Sequence, residues 1–346
     1  TGLCDQGPAG LVNGRPLTRL TPERIDHLAA LVETAVPLAD WPRHSFEVQS
    51  FVQRRDLLLG TPLAQGQALD ALISGGADAA LQHLERSGLN GRGGAGFSTA
   101  TKWKLCREVD SEAHYVVCNA DEGEPGTFKD RVLLAEHADE VIEGMTACAR
   151  VIGAEKGFIY LRGEYAWLRP HLDWVLERRR GDELLGEAIR GESDWHFEIE
   201  IHLGAGAYVC GEESALIESL EGKRGTPRSR PPYPVTQGYL GQPTVVNNVE
   251  TFFAAAHILA RGGDWFAAQG DGMGTKLHSV SGDCERPGIY EFPVNASVGT
   301  IVAAAGGEGA GAVQVAGAAG DLLMSDEFDS AIDLKQRKTS GCLLYT

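Results

Sequence analysis

The chain has no apolar run long enough to cross a membrane, no excess of basic residues and no pair of cysteines at CxxC spacing. The first absence argues against direct membrane insertion. Nothing at the N-terminus resembles a secretory signal either, so the cytoplasm is the expected location. The second is quantitative: 31 Lys and Arg stand against 48 Asp and Glu, a formal net charge of -17, which argues against nucleic acid or an anionic membrane surface as partner. The seven cysteines, Cys4, Cys106, Cys118, Cys148, Cys210, Cys284 and Cys342, form no compact disulfide framework and fit reduced thiols in a cytosolic protein. The ten histidines show no HExxH or comparable metal spacing. His114, His202, His257 and His278 sit beside apolar residues and are expected to be structural.

What the chain has in quantity is glycine, 44 of 346 residues, and three glycine- or amide-rich loops each lead into a helical pattern. Gly91, Gly93 and Gly96 fit G-x-G-x-x-G, yet the dinucleotide fingerprint needs a strand just before it. Here the preceding DAALQHLERSGLN has helical spacing with Gly88 placed as a C-cap, so the classical Rossmann context fails. The phosphate chemistry survives: glycines permit close backbone approach, and Ser98 or Thr99 can cap the next helix, where Lys102 adds a charge. A plain turn between two helices would give the same pattern. In HYVVCNADEGEPGTFKDR a strand from Tyr115 to Cys118 gives way to Asn119, Asp121, Glu122 and Glu124. These are acceptors for ribose or ribityl hydroxyls at a strand's C-terminal end, or else a solvated turn closed by Gly123 and Pro125. Farther on, HLGAGAYVCGEES opens a helix at Glu212 and Glu213. These carboxylates are either dipole partners or contacts for a nicotinamide or flavin edge. Lys223 and Arg224 are candidate phosphate partners or a solvated pair, and Asn247 and Asn248 are caps or phosphate donors.

GRGGAGFSTATKWKLC, VVCNADEGEPGTFKDRVLL, YLRGEY, GAGAYVCGEESALIESLEGKRGTPR, PPYPVTQGYLGQPTVVNNVETF and SVSGDCERPGIYE, in this order, resemble the NADH-oxidising FMN subunit of respiratory complex I and its relatives, and most of all the diaphorase (flavin) subunit of NAD-reducing hydrogenases. The resemblance is dense from about Gly88 to Glu291. It implies FMN around Gly91, Gly93, Gly94, Lys102, Asn119, Asp121, Glu122, Tyr208, Gly211, Glu212, Asn247 and Asn248, with Arg92 and Gly96 also among the cofactor-binding residues. NADH would stack near Gly94, Ala95, Phe97, Glu124, Tyr208 and Glu213, with Glu124 and Glu213 positioning the nicotinamide. No side chain is expected to be catalytic in the narrow sense, because hydride passes between cofactors. The implied partners are the iron–sulfur electron-transfer subunits of a multisubunit oxidoreductase of hydrogenase or complex I type. The runner-up functions are a complex I NADH-binding subunit, the diaphorase subunit of a formate dehydrogenase, and an inactive docking remnant.

The fold expected is α/β: a Rossmann-like but non-classical FMN/NADH domain, then a small ubiquitin-like β-grasp domain. TGLCDQGPAGLVNG resembles the end of a thioredoxin-like [2Fe-2S] domain, in which Cys4 would be the last of four ligands and the site incomplete. The CGxCxPC motif of the family's [4Fe-4S] cluster is absent, so iron–sulfur clusters are expected in the full-length parent, with their ligands missing here. The expected organisation is residues 1–20 as remnant of the cluster domain, 21–60 as helical linker with Thr21 capping its helix, 61–270 as the FMN/NADH domain, 274–323 as the β-grasp domain and 324–346 as a divergent or truncated tail.

Overall fold

The computed structural model describes residues 1–317, 320–331 and the backbone of 342–345. The chain opens on the hairpin of β1 (Gly10–Val12) and β2 (Arg15–Leu17), followed by α1 (Pro22–Glu33) and a short strand, β3 (Val52–Arg54). Thr21 caps α1 as its sequence position predicts, its hydroxyl accepting from the Arg24 N–H at 3.3 Å. The helical character of the 21–60 stretch is confined to α1 and short 3-10 turns, and β3 pairs into a sheet.

Next come α2 (Gln67–Arg86) and α3 (Thr99–Arg107), with the glycine loop between them. Gly88 follows α2 at φ +63°, the left-handed conformation of a helix-ending glycine. Ser98 caps α3, accepting from the Thr101 N–H at 3.3 Å. The glycine loop therefore follows a helix, as its periodicity predicts.

The four strands β4 (Tyr115–Ala120), β5 (Lys156–Leu161), β6 (Glu198–Leu203) and β7 (Thr244–Asn248) form one parallel sheet in the order β6-β5-β4-β7. The connections are α4 (Lys129–Glu136) and α5 (Ala138–Ile152), then α6 (Arg169–Gly181), then α7 (Glu213–Leu220) and the single turn α8 (Pro234–Gln237). After β7 the chain enters α9 (Val249–Arg261) and α10 (Gly263–Ala267). From β4 the chain winds toward one edge through β5 and β6, then returns to the other side of β4 as β7. That reversal is a topological switch point, where the C-terminal ends of adjacent strands leave a crevice.

Strand periodicity sorts the core into two layers. Val116, Cys118, Ile159, Leu161 and Val245 face the main core with α2, α5 and α9. Val117, Phe158, Tyr160 and Val246 face a smaller cluster with Leu216, Ile217 and Leu220 of α7. The same alternation continues beyond the apolar residues and determines which way the asparagines at the strand ends point.

The second sheet contains β8 (Thr275–Gly282) and β9 (Gly288–Pro293), then, after α11 (Val298–Ala304), β10 (Ala312–Val315), β11 (Asp321–Met324) and β12 (Cys342–Tyr345). Its order is β11-β10-β12-β8-β9-β3. Parallel β12 lies between β8 and β10, so the sheet extends past the expected boundary at 323 and takes in the end of the stretch expected to be a divergent tail. A boundary drawn from local composition misses this because the strand's pairing partners lie far away in sequence. Residues 332–341 of that stretch lie outside the described residues.

His257, fully buried on α9, meets Phe253 edge-to-face and stacks against Trp265. Burial pushes its imidazole from the ordinary 6.5 down to about 4. The unfolded chain thus takes up a proton that the folded chain refuses, so this contribution to stability is whole above pH 6.5 and lost as pH falls toward 4. A His257→Phe variant is expected to gain on the parent by ~3 kcal/mol between pH 7 and pH 4, read from urea unfolding at both pH values. Equal declines in the two proteins would show that His257 is not the source of acid sensitivity.

Candidate functional site

The C-terminal ends of β4 and β7 carry Asn119 and Asn248, and both line a cavity of about 380 Å³ at the switch point. Strand alternation turns Asn119 toward α7, where its amide donates to the Gly211 carbonyl at 2.9 Å. Its Oδ1 accepts from the Asp121 N–H at 3.1 Å, fixing the start of the acidic loop. Asn247, one residue before Asn248, points into the opposite layer: its Oδ1 accepts from the Trp103 indole at 3.0 Å, and it does not line the cavity.

Gly93 from the glycine loop forms another wall. A Cβ there would lie 3.1 Å from the Cβ of Asn248, so the close approach depends on glycine. Gly94 at φ +128° and Gly96 at φ +66° hold the rest of the loop in left-handed conformations. Gly91 donates to the Phe97 carbonyl at 2.9 Å across the loop mouth, and Phe97 is half exposed. Gly91, Gly94, Ala95, Gly96 and Phe97 are not among the cavity's lining residues.

Several charged groups singled out in the sequence are engaged elsewhere. Arg92 is fully buried and its guanidinium donates to the carbonyls of Met273 (2.8 Å) and Thr275 (3.0 Å), tying the glycine loop to β8. Lys102 pairs with Glu213 at 3.1 Å and donates to the Val246 carbonyl at 2.9 Å. None of Arg92, Lys102 and Glu213 lines the cavity. Lys223 is likewise paired with Glu221 at the surface.

The acidic loop supplies the rest of the wall: Asp121, Glu122, Gly123 and Glu124 all line the cavity. Glu122 is buried with its carboxylate fully used. It accepts from the N–H groups of Asp130 (2.9 Å) and Arg131 (3.1 Å) at the start of α4 and from the Tyr165 hydroxyl at 2.9 Å. Burial and the nearby Asp130 push it up to about 7. Asp121, by contrast, is buried with Oδ2 unpartnered. Burial pushes its carboxyl up to about 6 against the pull of Arg162. Opposite, Glu212 caps α7, accepting from Ser214 and Ala215 N–H at 3.0 Å each, and pairs with Arg230. Tyr208, mostly exposed, donates its hydroxyl to Glu124.

Lys129, Asp130, Thr127 and Val209 also line the cavity, and none was legible as a site residue. Lys129 is 1% exposed and contacts Asp130 (2.6 Å), Glu250 (3.0 Å) and the Asn248 side chain (3.1 Å). Burial alone would lower its pKa, but the three acids Asp130, Glu250 and Glu122 raise it, so it stays charged. The available signal was the Lys-Asp pair of GTFKDR directly after the acidic loop, which reads equally well as an ordinary first helical turn. At the N-terminus Cys4 is exposed. Among the described residues no group of three or more His, Cys, Asp or Glu side chains could hold a metal ion.

A parallel sheet with a glycine-walled, carboxylate-lined cavity at its switch point defines an α/β cofactor-binding protein. The chain belongs to the family described as the Nuo51 FMN-binding domain, whose model matches residues 84–257. It is 47% identical over 336 residues to the NAD-reducing hydrogenase HoxS subunit alpha of Cupriavidus necator, across 93% of this chain and 56% of that protein. It is 41% identical to a subunit of the NADH-quinone oxidoreductase of Escherichia coli, across 81% of this chain and 64% of that protein. Among solved structures, an NAD+-reducing [NiFe]-hydrogenase in the H2-reduced state superposes with a TM-score of 0.93 at 46% identity, covering 100% of this chain and 60% of that one. The chain thus spans less than two thirds of the length of these relatives.

Proposed function

We propose that the chain is an FMN-dependent NADH dehydrogenase (diaphorase) module that passes electrons between NAD(H) and iron–sulfur clusters, in the setting of an NAD-reducing hydrogenase. The observation that carries this reading is the carboxylate of Asp121, buried with Oδ2 unpartnered, in the wall of a cavity that Gly93 and Asn248 also line. A buried carboxylate oxygen without a donor is costly, and a ribityl hydroxyl is a donor of the right chemistry. Bound FMN would supply the hydride-accepting ring atom opposite nicotinamide C4.

The chain's own residues would bind and orient. Gly93 lets the glycine loop close directly onto the Asn248 side chain, which shapes this wall. Asp121 and Asn119 offer acceptors and a donor for hydroxyls. Lys129, held charged by its three acids, donates from the cavity wall and offsets part of their negative charge. Glu212 paired with Arg230 and Asp130 paired with Lys129 add little net negative charge, so the lining is less hostile to a phosphate than its five carboxylates imply. Gly94, Ala95, Phe97, Glu124, Tyr208 and Glu213 would meet NADH at the mouth, the Phe97 and Tyr208 rings by stacking.

Within the same proposal, β8 to β12 with α11 form a ubiquitin-like β-grasp unit, an assignment supported by the central position of parallel β12. The partners would be iron–sulfur subunits of a soluble multisubunit enzyme in the cytoplasm; the relatives are named as subunits, one of an NAD-reducing hydrogenase and one of an NADH-quinone oxidoreductase.

The deciding experiment is an anaerobic NADH titration of the chain reconstituted with FMN, following bleaching of the flavin absorption band. Bleaching complete at about one NADH per flavin, as expected for a two-electron hydride transfer, would place the whole hydride site in these residues. No FMN binding, or binding without bleaching, would overturn the proposal.

A further inference from the structure

The YLRGEY segment, residues 160–165, is left without a role by the cavity lining, yet two of its side chains, Arg162 and Tyr165, bond the acidic loop. Arg162 is buried and donates from Nη1 to the Glu122 carbonyl. Its other donors are held by Glu164, Nε to Oε2 at 3.1 Å and Nη2 to Oε1 at 2.6 Å, a two-point fork that fixes the guanidinium plane. Tyr165 donates to the Glu122 carboxylate. The backbone closes the arrangement, with Arg162 N–H bonded to the Ala120 carbonyl at 3.2 Å and Gly123 N–H to the Asp121 carbonyl at 2.9 Å. Residues 120–123 are therefore held by this segment, and the Asp121 carboxylate in the cavity wall keeps Oδ2 without a donor.

We propose that Arg162, oriented by Glu164, is a positioning residue for the cofactor cavity: it pins the Asp121–Gly123 turn and so sets where the Asp121 carboxylate meets a ligand hydroxyl. The inference rests on the FMN reading above. Three kinds of group bear on Asp121. Arg162 favours its ionised form while Glu164 opposes it. Tyr160 lies on the neighbouring strand, within electrostatic reach. Around the cavity stand Glu122, Glu124 and Glu212, the last paired with Arg230, and the Lys129–Asp130 pair. Among the described residues Arg162 forms its ion pair with Glu164, which lies outside the lining.

The test is the pH dependence of FMN affinity, by quenching of flavin fluorescence on the full chain, for the parent, Arg162→Gln, Arg162→Lys and Glu164→Gln. In the parent, affinity is expected to fall as pH drops through about 6, where Asp121 takes up its proton. Arg162→Gln should move that midpoint upward by about one pH unit, the lower end of the effect of removing a nearby opposite charge. Glu164→Gln should move it the other way, because a like charge is removed. Arg162→Lys should keep the parent's midpoint while weakening binding at every pH, since an ammonium keeps the charge and loses the fork. General loss of folding cannot produce midpoint shifts of opposite sign. Coincident midpoints in parent and variants, with or without a uniform loss of affinity, would overturn the role of Arg162 while leaving the FMN reading intact. Failure of the parent itself to bind FMN at any pH would overturn both.

Discussion

Replacing Lys129 with methionine is expected to lower the unfolding free energy by about 3–5 kcal/mol, the usual cost of removing one partner from a buried ion pair. The reason lies in what remains. Asp130 and Glu250 are 3% and 0% exposed and face the same ammonium, and Glu122 lies close enough to raise its pKa. Without the cation, three carboxyl groups share one dry space, and Asn248 loses a donor to its carbonyl oxygen. The loss should be pH-dependent with a definite sign. Burial already holds Asp130 and Glu122 above their ordinary values, Glu122 at about 7, and loss of Lys129 raises both further. A folded state with raised carboxyl values binds protons more readily than the unfolded chain, so the variant should recover stability as pH falls from about 7 toward the ordinary carboxylate range. Urea unfolding at pH 8 and pH 5 would read this directly. A loss below about 1 kcal/mol at pH 8, the scale of an exposed pair, would mean that the cluster is not held by Lys129.

The second large effect is expected at Gly144 on α5. A Cβ there would lie 2.0 Å from the carbonyl oxygen of Phe252 on α9, a rigid backbone atom that cannot step aside. The two helices can cross this closely only because the residue is glycine. Gly144→Ala must push α9 outward, and α9 begins at the Asn248 cap that lines the cavity. Overpacking of this kind costs ~1–3 kcal/mol or more, and FMN retention should fall together with the melting temperature. Gly181→Ala is the matched control, with nothing within 4 Å of the added methyl. If the two variants melt alike, the crossing is looser than described.

The parts of this architecture legible in the sequence were those governed by local rules. The helix before the glycine loop, the caps at Thr21 and Ser98, and the strand at Tyr115 follow from spacing and capping chemistry. The clustering of Asn119, Asp121, Glu122 and Glu124 follows from their place after that strand. What could not be read was direction. Asn247 and Asn248 look equivalent in a string of letters, but a period of two sends one to the Trp103 layer and the other to the cavity. Lys102 looks like a phosphate partner because it stands in a first helical turn, and Arg92 like a cofactor contact because it stands among glycines. Their actual partners, the Met273 and Thr275 carbonyls for Arg92 and Glu213 for Lys102, are more than a hundred residues away in sequence. Lys129 was missed for the converse reason: its acids, Asp130 apart, come from Glu122 and Glu250 on other elements.

The first six residues bear on how such a module can be joined to others. Leu3, Asp5 and Gln6 are buried. Asp5 meets Arg131 at 2.8 Å, Gln6 exchanges two hydrogen bonds with the Gln49 backbone, and Gly2 sits so close to Tyr165 that a methyl group would strike its hydroxyl. Arg131 and Tyr165 both bond Glu122, so this strip of chain rests on the back of the cavity wall. Anything covalently joined ahead of it would leave from a welded joint, not a swivel. The distance from these residues to the cavity is thus set by packing and not by the reach of a tether.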